Sequence, residues 1–343
     1  MDSQEELNSE DLPPVNLPEN LRMQVIGFED SLARTVGNEI ADLVGALSRY
    51  WPLNNLIGLT IAYDYAAALA AVDQGFGENA PPPQATNDEE LGRGSAMALS
   101  VLHGGIWKTH VVFGPHLVGL LSSDEEGEKD RGYKLVAHEL AHAADHENKR
   151  QAFGEIISQP VTELIPDPKE QYLWERSHFI WDEYYASRMS VGFDPEGEGD
   201  EDELFATSYI ACRDRIQKAR REYHWHQISL EEFLEVLKQN LHMVLLAAGY
   251  LFGLGDGLEK DLTEVAPKST PLLQEDLGQA IMRFHAVLLA LWEHRREWAS
   301  YDEFLTLNGP AEALLNDLDL YVHTEDEGRV YIDIPPRVEH LCP

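Results

Sequence analysis

Hydrophobic residues recur every three to four positions over most of the chain, and this spacing predicts a mainly helical protein. The first such segment follows Ser31, a predicted N-cap, and keeps helical spacing up to Leu47. An alanine-rich helix is predicted at about 130–147, with no proline to break it. Later helices are expected to begin at capping or first-turn signals, at Asp167 (with Pro168 and Glu170), Asp200 (with Glu203), Ser229 (with Glu232), Thr270 and Ser300.

Several short apolar runs have the length of strands rather than helices. Residues 56–62 predict a buried strand, and residues 96–102 and 108–113 predict two more, separated by the turn sequence His103-Gly104-Gly105. Residues 330–334 predict a terminal strand, whereas the proline-rich residues 76–93 predict a loop. The expected fold class is therefore α+β and mostly helical. We expect a flexible acidic arm at 1–18, a first folded region with a small mixed sheet at 19–195, and a helical region at 196–343 that packs on it.

The formal net charge of -35 changes the set of plausible partners. Such a surface would repel phosphate groups, which argues against nucleic acids and anionic membranes. Two cysteines, Cys212 and Cys342, do not form a disulfide framework and favour a reducing compartment. Residues 1–6 lack the basic and apolar regions of a secretory signal, so none is expected there. The longest apolar run, 241–254, is too short to span a bilayer. We therefore expect a cytoplasmic protein.

The predicted alanine-rich helix contains the pattern His-Glu-x-x-His. At 3.6 residues per turn, His138 and His142 lie about 40° apart around the helix axis and about 6 Å apart along it. Both imidazoles can therefore reach one ion. Zinc suits this pair, because it accepts neutral imidazole in a tetrahedral shell and leaves one position open for water in catalytic sites.

Glu139 projects beside the first histidine, where its carboxylate can take a proton from water instead of binding the metal. His146 lies about 12 Å along the helix axis from His138, too far for both to bind one ion. Asp145 is interpreted as an acceptor behind the ligands or as a helix-end charge. The third protein ligand is therefore expected from another helix.

The helix predicted after Asp167 has a carboxylate on its apolar stripe, since Glu183 shares that stripe with Tyr172, Phe179 and Ala186. An unpaired charge in such a position would be costly in free energy. A zinc ion held by the two histidines would be a suitable partner. Glu183 is accordingly predicted as the third ligand.

Two other interpretations of this segment stay open. Asp182 competes for the role of ligand, although the helical wheel places it nearer to His178 and Tyr185. Alternatively, Glu183 forms an ion pair with an arginine, for which Arg188 and Arg176 are the candidates.

The pentapeptide followed by Glu183 in the string Trp-Asp-Glu-Tyr-Tyr-Ala-Ser-Arg resembles the gluzincin group of zinc metallopeptidases. The resemblance covers roughly residues 56–190, and its specific part is the pentapeptide. It implies a zincin-like fold, one zinc ion bound by His138, His142 and Glu183, and Glu139 as the general base. No Asn-Glu-x-x-Ser-Asp sequence surrounds Glu183, so the chain departs from the thermolysin pattern and its subfamily is unassigned.

Together these observations predict a zinc metallopeptidase that hydrolyses a peptide or protein substrate. The alternative is a non-catalytic zinc-binding interaction protein whose helical C-terminal region is a partner surface. Glu139 argues against this alternative, because a structural zinc site needs no base and usually closes its fourth position.

Three lesser predictions concern the surroundings of this centre. Residues 96–102 form a candidate edge strand for an extended substrate, with an ordinary internal strand as the equal alternative. The basic residues within 213–221 are expected to be a solvated face that pairs with the acidic surplus. The residue that stabilises the oxyanion is expected among six side chains: Tyr184, Tyr185, Arg188, Tyr223, His224 and His226.

Overall fold

A computed structural model describes residues 12–75, 82–85, 87–88, 92–154, 156, 160–195, 197, 200–325 and 328–336. The protein is α+β and mostly helical, with a small mixed sheet, so the predicted general class is confirmed. The density of contacts divides the chain into two compact units, Met1–Lys149 and Arg150–Pro343. The domain boundaries predicted from the sequence stay a prediction.

The N-terminal unit is built on a four-stranded sheet in the order β1-β2-β6-β5. The pairs β1–β2 and β2–β6 are parallel, whereas β5 runs antiparallel to β6. The elements of this part of the chain are β1 (Arg22–Ile26), α1 (Asp30–Leu47), β2 (Leu56–Ala62), α2 (Tyr65–Ala70), β3 (Asn87–Asp88), β4 (Gly92–Arg93), β5 (Ala96–His103), β6 (Ile106–Phe113), α3 (Pro115–Leu121) and α4 (Glu128–Phe153).

Local sequence signals explain the centre of this sheet. Apart from one half-buried position, β2 is buried along its whole length, as its uninterrupted apolar run predicted. Gly104 and Gly105 have positive φ angles of 61° and 80°, which suits the two-residue turn of the β5–β6 hairpin. The strand β5 lies at one edge of the sheet, so the edge position expected for residues 96–102 is confirmed.

Other parts of the N-terminal unit differ from the prediction. Glu29, not Ser31, caps α1, because its carboxylate accepts from the backbone N–H of Ser31. Sequence analysis missed β1, α2 and α3, which are short, and β1 alternates exposed with half-buried positions. Within the predicted loop 76–93, β3 and β4 pair as a small antiparallel ladder, and residues 76–81, 86 and 89–91 lie outside the described part. Residues 1–11 of the predicted arm also lie outside it.

The C-terminal unit is a helical array with one small β-hairpin. Its elements are α5 (Val161–Leu164), α6 (Pro168–Trp174), α7 (Phe179–Ser190), a 3-10 turn (Val191–Phe193), α8 (Asp200–His224), α9 (Leu230–Gly257), α10 (Leu262–Val265), α11 (Ser269–Leu272), α12 (Asp276–Glu293), α13 (Asp302–Leu305), α14 (Asn308–Asp317), β7 (Tyr321–Thr324) and β8 (Val330–Asp333). The capping box predicted at Ser229 and Glu232 is confirmed at the start of α9.

The helix predicted after Asp167 is broken into α6 and α7. Asp167 caps α6 through the N–H groups of Lys169 and Glu170, as predicted. The carboxylate of Glu170 accepts from Asn308 at 2.6 Å, so it takes part in a tertiary contact. The ring of His178 stacks on Trp174, and its Nδ1 lies 2.9 Å from the carbonyl oxygen of Trp174. These contacts lie at the turn between the two helices.

The helix predicted from Thr270 is also two helices. The chain turns after α11, and α12 begins only at Asp276. A Cβ atom at Gly278 would lie 2.1 Å from the carbonyl oxygen of Leu272, so the missing side chain permits this close turn. Pairing of β7 with β8 confirms a strand near 330–334, whereas β7 and α14 were missed.

The remaining predictions concern the two ends of α8, the two cysteines and the hydropathy of the helices. The helix α8 ends at His224, as expected, but Glu203 of its predicted capping box pairs with Lys268 at 2.5 Å. Cys212 is a buried free thiol, and Cys342 lies outside the described residues. Among the described helices, none combines the length and hydropathy that a membrane-spanning segment requires.

Candidate metal centre

The helix α4 presents the two histidines of the motif on one side. Its other sides are covered, because Ala137, Leu140 and Ala141 are fully buried. His138 and His142 are partly exposed, with ring centroids 4.9 Å apart and ring planes at 84°. This is the neighbour relationship that an i, i+4 pair has on a helix.

Polar side chains tie α4 to the sheet of the N-terminal unit. The amide of Asn55 donates to the carbonyl oxygen of Ala143 at 3.0 Å and to the hydroxyl of Thr109 at 3.1 Å. Nδ1 of His146 lies 3.1 Å from the same hydroxyl. His146, which the helix geometry excluded as a ligand of the same ion as His138, therefore contacts β6. Together these hydrogen bonds hold α4 against the sheet.

The third predicted ligand lies on α7 in the C-terminal unit. Ile180, Trp181 and Tyr184 of this helix are fully buried, whereas Glu183 is only partly buried. The helical stripe predicted for this segment is therefore kept within α7, although the break before Phe179 separates it from Tyr172. The buried residues on either side of Glu183 hold this part of α7 in the hydrophobic core.

His138, His142 and Glu183 form a group that could hold a metal ion. Each residue offers one ligand atom, and these atoms all lie within 4.8 Å of one another. Ligand atoms at about 2.0–2.2 Å from one tetrahedral zinc ion would be about 3.4 Å apart, so the side chains need only small movements to fit one. Two imidazole nitrogens and one carboxylate oxygen suit a divalent transition metal.

The competing interpretations of Glu183 find less support. Asp182 is not a member of the group of potential ligands among the described residues. The guanidinium of Arg176 lies 3.3 Å from the ring centroid of Tyr172 and donates to that residue's carbonyl oxygen. Arg188 donates to the hydroxyl of Tyr184 and lies 3.5 Å from the carboxylate of Asp256, and Arg176 lies 3.8 Å from that of Glu175.

Glu139 is buried, with 7% of its surface exposed, and follows His138 directly on α4. One residue corresponds to about 100° around the helix axis, so its side chain leaves the helix beside the first histidine rather than in line with both. This position is compatible with the predicted base, and the role itself stays a prediction.

Comparisons with protein-family models, with curated proteins and with solved structures gave no significant match. The geometry and chemistry of the site are therefore the basis for inferring its function.

The oxyanion candidates on α7 take part in a polar network of the C-terminal unit. The hydroxyl of Tyr184 donates to Asp256 at 2.6 Å, and the guanidinium of Arg188 lies 3.5 Å from the same carboxylate. Burial raises the pKa of Tyr184, and the hydrogen bond to Asp256 raises it further. The ring of Tyr185 packs at 5.5 Å from that of Trp292. A phenol that is committed to a carboxylate in this way is a poor oxyanion donor.

The other oxyanion candidates lie at the end of α8. The ring of Tyr223 stacks on Phe233 at 5.6 Å and contacts the ring of His224. Burial lowers the pKa of His224, and the charge of Arg220 lowers it further. His226 has a positive φ of 56° just after the helix ends. The oxyanion-stabilising residue stays unassigned among these six candidates.

One residue near the third ligand was not foreseen. The ring centroid of His242 on α9 lies 4.2 Å from that of Phe179 on α7. Burial lowers the pKa of His242, and the negative charge of Glu183 acts in the opposite direction. The sequence signal for this residue was its spacing of seven from Gly249. Seven residues are about two helical turns, so His242 and Gly249 lie on one face of α9.

Proposed function

We propose that this protein is a zinc-dependent metallopeptidase with a zincin-like catalytic region. The observation that carries the proposal is the group His138, His142 and Glu183, together with an adjacent buried carboxylate at Glu139. Catalytic zinc sites use three protein ligands and keep a position open, and two histidines with one glutamate are a known set of this kind. The substrate class is a peptide or protein.

The division of roles follows from this chemistry. When bound, a zinc ion would supply a Lewis acid that polarises the scissile carbonyl group and acidifies water. Glu139 accepts a proton from the attacking water and returns it to the nitrogen of the leaving amine. His138, His142 and Glu183 would hold the metal.

The edge strand β5 supports a specific binding position for a peptide substrate. An extended peptide can add to an exposed strand at the edge of a sheet through backbone hydrogen bonds. The strand β5 is such an edge, but Gln74 contacts it at two places: its carbonyl oxygen accepts from Leu102 and its amide donates to Ser100. We therefore expect a substrate strand to pair with residues 96–99.

The deciding experiment combines metal analysis with a cleavage assay on a mixed peptide library. We expect about one zinc ion per chain and cleavage of library peptides. Glu139→Gln should keep the zinc and lower the turnover rate by a factor of about 10² to 10⁴, because a general base contributes this much. Glu128→Gln is the matched control, since this glutamate lies in the first turn of the same helix and pairs with Arg131.

Undiminished turnover by Glu139→Gln would refute the assigned base. Iron in place of zinc in the purified protein would refute the assigned metal. A zinc-bound protein that cleaves no member of the library would support the alternative function, a non-catalytic zinc-binding interaction protein with the helical C-terminal region as its partner surface.

A further inference from the structure

The helix that carries Glu183 packs on α9 along three glycines spaced four residues apart. Gly249, Gly253 and Gly257 lie on one face of α9, and each faces the backbone of α7 or of the residue after it. A Cβ atom at Gly253 would lie 2.6 Å from the carbonyl oxygen of Tyr184, and one at Gly257 would lie 2.6 Å from the side chain of Val191. The absence of three side chains lets the two helices approach each other closely.

Gly249 is the member of this row that touches the predicted ligand. A Cβ atom at this position would lie 2.9 Å from Cβ of Glu183 and 2.9 Å from the carbonyl oxygen of Ile180. Carbon atoms in van der Waals contact are about 3.5–4.0 Å apart, so an added methyl group must push Glu183 away.

The rest of α7 cannot easily slide to relieve such a contact. Tyr184 donates its hydroxyl hydrogen to Asp256 on α9 at 2.6 Å. The hydroxyl of Ser187 donates to the carbonyl oxygen of Tyr250, also on α9, at 2.9 Å. Because these bonds fix the rotation and the register of α7, the strain from a side chain at position 249 is concentrated at Ile180 and Glu183.

We propose that Gly249 is a positioning residue for the metal centre, in that the absence of a side chain at this position sets where the Glu183 carboxylate lies. This inference rests on the proposed function, since it requires that Glu183 binds the metal. Gly249 touches neither metal nor substrate and acts only through Glu183. A second consequence is that the Tyr184–Asp256 hydrogen bond, which anchors the residue next to Glu183, supports the same geometry.

The test measures zinc affinity by competition with a chromophoric chelator. Gly249→Ala should weaken zinc binding about 10- to 100-fold, the range typical of residues that orient a metal ligand. Gly257→Ala is the matched control, because its Cβ would also meet the Arg188 carbonyl oxygen at 2.9 Å but lies two helical turns further along α9. We expect the control to lose thermal stability while its zinc affinity stays within about twofold of the wild type.

A double-mutant cycle separates positioning from general damage to the fold. In a Glu183→Ala background, in which zinc is held by the two histidines alone, Gly249→Ala should change zinc affinity less than twofold, within the roughly additive range. An equal loss of affinity with and without Glu183 would overturn the proposal, because the glycine would then act on the fold and not through the ligand.

A Gly249→Ala protein that does not fold would overturn the proposal, because the glycine would then act on the fold. A milder variant tests the supporting hydrogen bond separately. Tyr184→Phe preserves the ring and removes only the hydrogen bond to Asp256. We expect a several-fold loss of zinc affinity that also disappears in the Glu183→Ala background, whereas unchanged affinity would overturn the supporting role of this bond. If the wild type itself binds no zinc, the proposed function fails. If the wild type binds zinc and Gly249→Ala binds it equally well, only the positioning role fails.

Discussion

Nε2 of His285 lies 3.0 Å from Oδ2 of Asp256, and the hydroxyl of Tyr184 donates to the same oxygen at 2.6 Å. These bonds join α12, α9 and α7 at one carboxylate. Burial opposes ionisation of Asp256, but the hydrogen bonds from His285 and Tyr184 and the charge of Arg188 outweigh it, so the pKa of Asp256 lies below its ordinary value of 3.8. The charged form is therefore favoured in the folded protein.

Stability should depend on pH through this carboxylate. A carboxyl group whose pKa is lowered by folding contributes stability above its unfolded-state pKa, and the contribution is lost as the pH falls through the folded-state pKa. Asp256→Asn should lower the free energy of unfolding by about 2 kcal/mol at pH 7. The difference from the wild type should shrink below pH 3.8 and vanish below the folded-state pKa.

Urea unfolding of both proteins over a range of pH measures this difference. Asp214→Asn is the control, because Asp214 is 63% exposed and its carboxylate pairs with the neighbouring Arg213 at 3.2 Å. A deficit of Asp256→Asn that is as large at pH 3 as at pH 7 would show that the charge of Asp256 is not the cause.

Metal binding should stabilise the folded chain by an amount that grows with the logarithm of the free zinc concentration above the dissociation constant. A ligand at 100 times its dissociation constant stabilises a protein by about 2.7 kcal/mol if it binds only the folded state. Zinc should therefore raise the melting temperature of the wild type, and a chelator should reverse the increase. His142→Ala and Glu183→Gln should lose most of this increase, because each removes one of the three ligand atoms.

Asp182→Asn is a matched control for Glu183→Gln, since the two carboxylates are adjacent on α7. It should keep the zinc-dependent increase in melting temperature. If Asp182→Asn loses the increase and Glu183→Gln keeps it, Asp182 is the third ligand and our assignment is wrong.

Arg220 of α8 contacts two segments near the last described residues, one before β7 and one after β8. Its side chain is 6% exposed and donates to Asp319 at 2.8 Å and to the carbonyl oxygens of Leu318 and Pro335 at 2.9 and 2.8 Å. Removing one partner of a buried ion pair typically costs about 3–5 kcal/mol. Arg220→Met should lower the free energy of unfolding by this amount and increase amide exchange in β7 and β8.

The comparison variant is Arg213→Met on the same helix. Arg213 is 35% exposed and pairs with Glu275 at 3.1 Å, so its loss should cost no more than about 1 kcal/mol. Equal stabilities of the two variants in urea unfolding would contradict the role that we assign to Arg220. The expectation that the basic residues within 213–221 form a solvated face that pairs with acidic groups agrees with Arg213, which contacts Glu275. It is wrong for Arg220, which contacts a carboxylate but is buried.

The sequence by itself was informative wherever a local pattern decides the structure. The buried strand β2, the β5–β6 hairpin, the caps at Asp167 and Ser229 and the histidine-bearing helix all follow from residues close together in the chain. The histidine pair belongs to this class, because helical geometry alone places His138 near His142. Apolar spacing also identified Glu183 as a carboxylate in need of a partner.

Only the tertiary structure decided the features that depend on distant contacts. The break between α6 and α7 involves the stacking of His178 on Trp174, and the late start of α12 depends on a close approach over Gly278. Glu183 joins the two histidines from 41 residues beyond His142, and Gly249 meets Glu183 from another helix. No short-range pattern encodes such contacts, because periodicity reports which face of an element is buried but not which element covers it.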